Sequence, residues 1–127
     1  MRLLLLFGVA LLISSCKQDS ASLPLTVLFD KGWYSTFEKD EQEFFLFTPT
    51  ARTQATGWQY EGFRLNTDGT YQEYGIGPAD GPETRPGTWK ETGELTYRIR
   101  FADPERQGYT LRIQLLSDST LKAKRVN

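Results

Sequence analysis

The chain has 127 residues, 15 Lys and Arg against 16 Asp and Glu, and a formal net charge of −1. This length allows one modest hydrophobic core, and the balanced charge leaves no basic excess with which to hold nucleic acid or anionic lipid. Histidine is absent, which excludes Ser-His and Cys-His nucleophile pairs and the usual histidine-bearing zinc sites.

The first sixteen residues, MRLLLLFGVALLISSC, have the pattern of an export signal. Arg2 precedes an apolar run, 3–13, that is well short of the roughly 20 residues needed to span a bilayer. The ending Ile-Ser-Ser-Cys resembles the lipobox of bacterial lipoproteins, which implies cleavage before Cys16 and acylation of this cysteine, with palmitate as an expected fatty acid. The alternative is a plain signal peptide with a chance cysteine, or a short anchor helix. Because Cys16 is the only cysteine, no disulfide within the chain is expected.

Three segments follow from this interpretation. We expect residues 1–15 to be a removed signal, 16–23 to be a lipidated polar tether, and 24–127 to be one folded domain. An Asp directly after the cysteine resembles the inner-membrane retention signal of enterobacteria. This chain has Lys17 at that position, so we expect a bacterial outer-membrane location. The residues after Cys16 also loosely resemble the charged signals of surface-exposed Bacteroidota lipoproteins, and both the periplasmic face and the cell surface stay open.

Downstream of the tether, short runs of alternating apolar and polar residues recur between turn signals, which predicts an all-β domain of about eight strands. The N-terminal half is less regular, with strands predicted at 26–34 and 44–47 on either side of a charged stretch, 38–43. The strongest local signal is a hairpin of 58–65 and 70–74, in which Gly69 can adopt the left-handed conformation that the turn requires.

The C-terminal part has the clearest alternation. In 95–101 the apolar residues take every second position, and 109–115 repeats the pattern, so the two strands are expected to pair antiparallel. A third strand at 120–126 completes a meander. No long amphipathic helix is predicted, and the fold expected is an antiparallel up-and-down barrel.

Several phrases together resemble the lipocalin-like domains of small bacterial lipoproteins. They are Gly32-Trp33, then Gly62-Phe63-Arg64-Leu65 leading into Asp68-Gly69-Thr70-Tyr71, then Gly87-Thr88-Trp89. The resemblance covers about residues 25–126 and implies an eight-stranded barrel, in some members with a lumen open at one end. Two departures are the missing spacer in Gly32-Trp33 and the lack of a C-terminal helix. A filled or shallow interior is therefore an alternative to a ligand cavity.

The segment 75–87, GIGPADGPETRPG, is the main candidate for a functional loop. It is too long and too rich in Gly and Pro for a tight hairpin, and long ordered loops at a barrel mouth tend to hold binding residues. The candidate ligand-binding residues are Tyr60, Tyr71, Tyr74, Asp80, Arg85 and Trp89. The alternative is a structural loop in which Arg85 pairs with Asp80 or Glu83, with the aromatic residues in the core.

The sequence supports two main functions. The first is a lipid-anchored envelope barrel that binds a small apolar or amphipathic molecule. The second is a protein-interaction module with a filled barrel, an inhibitor or an accessory subunit of an envelope complex, which would use loops such as 48–57 and 75–87. Carboxylate chemistry is a third and weaker interpretation, from acids at 38–43 or from Asp80 and Glu83. We therefore expect a protein that is not an enzyme and uses no metal or cofactor.

Overall fold

A computed structural model describes residues 25–50 and 60–127. The predicted signal, Cys16, the tether, and most of the loop 48–57 lie outside these described residues, as does the start of the predicted strand 58–65. Within them the chain forms a 3₁₀ turn at Leu25–Val27 and eight strands. The strands are β1 (Gly32–Lys39), β2 (Phe45–Thr48), β3 (Gly62–Leu65), β4 (Thr70–Ile76), β5 (Pro82–Gly93), β6 (Thr96–Phe101), β7 (Tyr109–Ser117) and β8 (Thr120–Val126).

The eight strands close into one antiparallel barrel, which confirms the predicted all-β architecture. From β3 to β8 each strand pairs with its neighbour in sequence, and β8 closes the barrel against β2. One detail departs from sequential order, because β1 lies between β2 and β3. At Tyr34 the strand β1 pairs with both neighbours: Thr48 of β2 lies opposite Tyr34 on one side, and Gly62 of β3 lies opposite it on the other.

The inward-facing side chains fill the barrel with aromatic and branched residues. The alternation predicted for 95–101 and 109–115 is confirmed, since Tyr97, Ile99 and Phe101 are buried and the arginines between them are exposed. The buried apolar core comprises Leu28, Trp33, Phe47, Phe63, Leu65, Tyr71, Tyr97, Ile99, Phe101, Tyr109, Leu111, Ile113, Leu121 and Ala123. An eight-stranded barrel has room for little more than such side chains, so its interior is a packed core.

The predicted strand at 26–34 is wrong in its first half. The chain makes the 3₁₀ turn, and β1 begins only at Gly32 and continues through Lys39. Asp30 explains the change, because it adopts a positive φ of 65° and its Oδ1 accepts a hydrogen bond from the backbone N–H of Thr67 at 3.0 Å. This contact folds the N-terminal segment back over one end of the barrel.

That end of the barrel is closed by aromatic packing. The Trp33 indole donates a hydrogen bond to the Leu28 carbonyl at 3.0 Å, and Leu28 is fully buried. The Phe29 ring lies 5.4 Å from that of Trp89 and 6.2 Å from that of Tyr97. The opposite end, formed by the end of β4, the start of β5 and the segment 102–108, is therefore the end at which a site can lie.

The predicted long loop 75–87 is wrong, because most of it is strand. β4 continues to Ile76 and β5 starts at Pro82, leaving a tight turn at 77–81. Proline is tolerated there for a geometric reason: the Pro86 carbonyl accepts a hydrogen bond from Ala102 at 3.0 Å, so it faces β6. The Pro86 nitrogen faces the same way, and the pairing with β4 loses no donor.

Replacing Tyr97 with Phe should reduce the loss of stability at alkaline pH. Burial, with a smaller contribution from the Glu91 carboxylate, raises the pKa of Tyr97 to about 12. An unfolded tyrosine ionises near pH 10, so between about pH 10 and 12 only the unfolded state has lost this proton. In this range the Tyr97 hydroxyl alone lowers the free energy of unfolding by about 1.4 kcal/mol per pH unit. Below about pH 10 its stabilising contribution is fully present.

Urea unfolding between about pH 9 and 11 measures this effect. The Tyr97→Phe variant should decline less steeply than the parent chain. Some decline remains, because burial also raises the pKa of Tyr71 and of Tyr109. Parallel curves for the two proteins would contradict the prediction.

Candidate functional site

The open end of the barrel contains a cleft of about 460 Å³. Its walls come from the start of β3, the end of β4, the start of β5, the segment 102–108, the start of β7 and the end of β8. The lining residues are Tyr60, Glu61, Glu73, Tyr74, Gly75, Ile76, Arg85, Arg106, Tyr109 and Arg125. Charged and hydroxyl groups therefore dominate this surface.

Glu73 is the centre of the cleft and is only 6% exposed. It points inward from β4, where its Oε1 accepts a hydrogen bond from Arg85 Nη1 at 2.8 Å and its Oε2 accepts one from the Tyr109 hydroxyl at 2.8 Å. The Tyr71 hydroxyl lies 2.6 Å from that of Tyr109. Because Tyr109 donates its one proton to Glu73, Tyr71 must donate to Tyr109. A chain of hydrogen bonds thus runs from the core to the mouth.

Three arginines surround the Glu73 carboxylate at different distances. Arg85 is held tightly, because its Nε also donates to Glu83 at 2.7 Å and its Nη2 to the Ile76 carbonyl at 3.1 Å. Arg125 pairs with Glu61 at 2.9 Å and lies 3.7 Å from Glu73. Arg106 is 4.0 Å from Glu73 and 3.8 Å from Glu83, too far for a hydrogen bond. Arg106 is therefore the guanidinium best placed to bind another group.

Arg85, Tyr71 and Tyr109 each keep one protonation state at neutral pH. Burial lowers the pKa of Arg85, but hydrogen bonds to Glu83 and Glu73 outweigh it and raise that pKa overall. Burial raises the pKa of both Tyr109 and Tyr71. The arginine remains a cation and the two phenols remain donors at neutral pH.

Gly75 allows the tight packing of Arg85 against β4. A Cβ built at Gly75 would lie 2.5 Å from Arg85 Nη1, closer than real contacts allow. The guanidinium therefore packs closely against the backbone at Gly75, from where it reaches both Glu73 and the Ile76 carbonyl.

A smaller apolar pocket of about 170 Å³ adjoins the cleft. Phe45, Phe47, Phe63, Leu111 and Ala123 form its apolar surface, and Glu43, Glu61, Lys124 and Arg125 form its rim. The ion pair between Arg125 and Glu61 belongs to both cavities. The open end therefore offers a polar surface with guanidinium groups directly beside an apolar one.

The six residues predicted as ligand-binding are distributed over the whole barrel. Tyr60, Tyr74 and Arg85 line the cleft, and Tyr71 lies beneath it in the core. Asp80 is exposed in the turn 77–81, with a positive φ of 63°. Trp89 packs at the closed end, where its indole donates to the Asn66 carbonyl at 2.7 Å. Of the two predicted partners for Arg85, the structure places Glu83 in contact.

Sequence reasoning missed Glu73, Arg106, Arg125 and Glu61. Glu73 had a readable signal, because it shares the inward face of β4 with Tyr71 and Gly75. An acid at a buried position of an alternating strand indicates a paired or functional group. Arg125 had a weaker form of this signal, because it shares the inward face of β8 with Leu121 and Ala123. Arg106 lies in the segment between β6 and β7 and had none.

Comparison with protein-family models, with curated proteins and with solved structures finds no significant match. In residues 25–50 and 60–127, no three Asp, Glu, His or Cys side chains come together as a potential metal site. In the same residues no helix is long and apolar enough to cross a bilayer.

Glu73→Gln should destabilise the fold by about 2 kcal/mol or more, since the cluster loses the buried negative charge that its guanidinium groups face. Urea unfolding at pH 7 measures the change. Glu38→Gln is the matched control, because it makes the same chemical change at an exposed residue of β1. Equal stability of the two variants would show that Glu73 does not hold the cluster together.

Proposed function

We propose that this protein is a lipid-anchored β-barrel of the bacterial outer membrane that binds a small amphipathic ligand at its open end. The anchor is the predicted acylated Cys16, and the lipocalin-like phrases of the sequence support the same proposal. The barrel would then present its mouth to a ligand close to the membrane.

The observation that carries this proposal is the adjacency of the two cavities. Arg106 keeps donors free on the polar side, and the partly exposed Phe45 forms an apolar wall on the other side. A ligand with an anionic head and an apolar or aromatic body would contact both at once, because guanidinium groups favour carboxylates and phosphates. A wholly apolar ligand would leave the cleft charges without partners and is less favoured.

The depth of binding follows from the packed interior. Phe63 and Tyr71 are each only 1% exposed, so the lumen below the mouth is occupied by the protein's own side chains. We infer a shallow site in which the ligand remains partly exposed. Such a site suits transient capture of a molecule.

A protein-interaction module remains the second candidate because of an aromatic cluster at the edge of the cleft. The Tyr34 and Tyr74 rings stack at 5.4 Å with an interplanar angle of 14°, and the Tyr60 ring lies 6.2 Å from Tyr34. Tyrosine is enriched at protein interfaces, where it combines a large apolar area with a polar hydroxyl. If this candidate is correct, Tyr74→Ala should abolish co-purification of an envelope partner, while Gln114→Ala on the opposite wall should not.

The anchor is tested by the intact mass of protein extracted from membranes. We expect loss of residues 1–15 and a mass increase that matches acylation of Cys16. The Cys16→Ser variant should lack the added mass and, because the lipobox is lost, should retain residues 1–15. An unmodified cysteine in the mature parent protein would contradict the anchor.

The ligand site is tested with 8-anilinonaphthalene-1-sulfonate, an aromatic sulfonate with the proposed chemistry. Arg106→Gln should weaken its binding by about tenfold, the loss expected for one charge-assisted hydrogen bond. Phe45→Ala should also weaken binding, because it removes part of the apolar wall. Octanoate should displace the probe.

Arg112→Gln is the matched control, since it makes the same chemical change on the outer wall, away from both cavities. Its fluorescence titration should match that of the parent chain. Weaker binding in Arg106→Gln with unchanged binding in Phe45→Ala would contradict an amphipathic site.

A further inference from the structure

On the outer wall formed by β5 to β8, the outward-facing charged side chains are all positive. The outward cations are Lys90, Arg98, Arg100, Arg112, Lys122 and Lys124. Glu91 of β5 is exposed, but it lies in register with the buried Tyr97; none of the positions that alternate with the buried residues of these four strands holds Asp or Glu. Because the whole chain has a net charge of −1, the wall reflects segregation of charge and not a basic composition.

Two cross-strand pairs on this wall place like charges directly opposite each other. Lys90 faces Arg98 between β5 and β6, and Arg112 faces Lys124 between β7 and β8. Residues directly opposite in an antiparallel pair have Cβ atoms about 5 Å apart, and like charges there are destabilising. Stability alone would favour an acid in one position of each pair. The arrangement therefore indicates a binding role for the wall.

Four of these cations have no partner within the described part of the chain. Lys122 pairs with Asp40 at 2.9 Å, and Lys124 donates to the Gln42 carbonyl at 2.9 Å. By contrast, Lys90, Arg98, Arg100 and Arg112 are exposed there without an ion pair or side-chain hydrogen bond. We name these four residues the basic face.

A shallow groove lies within the basic face. It has a volume of about 140 Å³ and is lined by Thr88, Trp89, Lys90, Arg98 and Arg100. Two guanidinium groups, an ammonium group and a hydroxyl around one depression match the size and charge of a phosphate group.

We propose that the basic face docks the barrel on an anionic phospholipid bilayer, with lipid phosphates in the groove. The choice of a membrane over other polyanions rests on the proposed anchor at Cys16. Residues 17–24 can span at most about 28 Å even when fully extended, so an anchored barrel stays within reach of the headgroups. Each cation near an anionic surface contributes to attraction, which salt screens. Docking by this wall would set the direction in which the mouth opens.

The test is co-sedimentation with vesicles, using the full chain carrying Cys16→Ser so that acylation does not contribute. Vesicles of phosphatidylcholine alone are compared with vesicles containing about 30% phosphatidylglycerol. We expect binding to the anionic vesicles to exceed binding to neutral ones by at least about tenfold and to decline between about 0.1 and 0.5 M NaCl. Any contribution of the signal segment is the same in every variant.

The decisive variant neutralises the basic face: Lys90→Gln, Arg98→Gln, Arg100→Gln and Arg112→Gln together. It should lose at least about tenfold in binding to anionic vesicles. Its melting temperature should be no lower than that of the parent, because the opposed like charges are removed. The matched control, with Lys in place of Arg98, Arg100 and Arg112, should retain binding.

Equal binding to neutral and anionic vesicles, or unchanged binding of the four-Gln variant, would overturn the proposal. Binding to a DNA duplex or to inorganic phosphate without binding to anionic vesicles would also overturn it. The intact mass of the parent protein tests the anchor separately. A missing acyl group and missing vesicle binding are therefore distinct results.

Discussion

Closure of the barrel through the pairing of β2 with β8 determines where this chain has a packed core and where it has space for a ligand. It joins Phe45 and Phe47 to the C-terminal strand and removes every free strand edge within the described barrel. An eight-stranded barrel has an interior only wide enough for side chains, and this chain fills it with aromatic rings from the closed end upward. The available space is therefore at the open end, where the packing gives way to charged groups.

The change from apolar core to charged mouth is organised around Glu73. A buried carboxylate is costly to desolvate, and three guanidinium groups and the Tyr109 hydroxyl offset this cost. Three acids, Glu61, Glu73 and Glu83, face the three arginines, so the cluster is close to neutral. Such a balanced cluster stabilises the mouth while Arg106, at its periphery, retains unused donors. The same group of residues can thus serve both the fold and ligand binding.

Period-two alternation predicted the barrel because it reports directly which residues face inward. The prediction for 75–87 was wrong because the Gly and Pro content suggested a loop. Pro86 directs its nitrogen away from β4 and therefore fits a strand. The predicted strand at 26–34 was wrong in its first half, because Asp30 contacts Thr67, a residue distant in sequence, and the chain folds back there. Within the candidate site, Arg85 and its partner Glu83 were predictable from proximity in sequence. The approach of Arg106 and Arg125 to Glu73 was not, because it depends on closure of the barrel.

The balanced charge of the sequence conceals a division that only strand register reveals. Apart from Glu38 on β1 and Glu91 near the end of β5, acids of the described chain lie in the turns and at the mouth, while positions of β5 to β8 that alternate with buried residues hold only cations among their charged residues. A balanced composition disfavours a polyanion partner only where both signs of charge are mixed over the surface. In a barrel this condition fails, because alternate residues of a strand face opposite sides of the wall. A neutral chain can therefore present a basic wall to a membrane and a balanced, partly open mouth to a ligand, with each surface independent of the other.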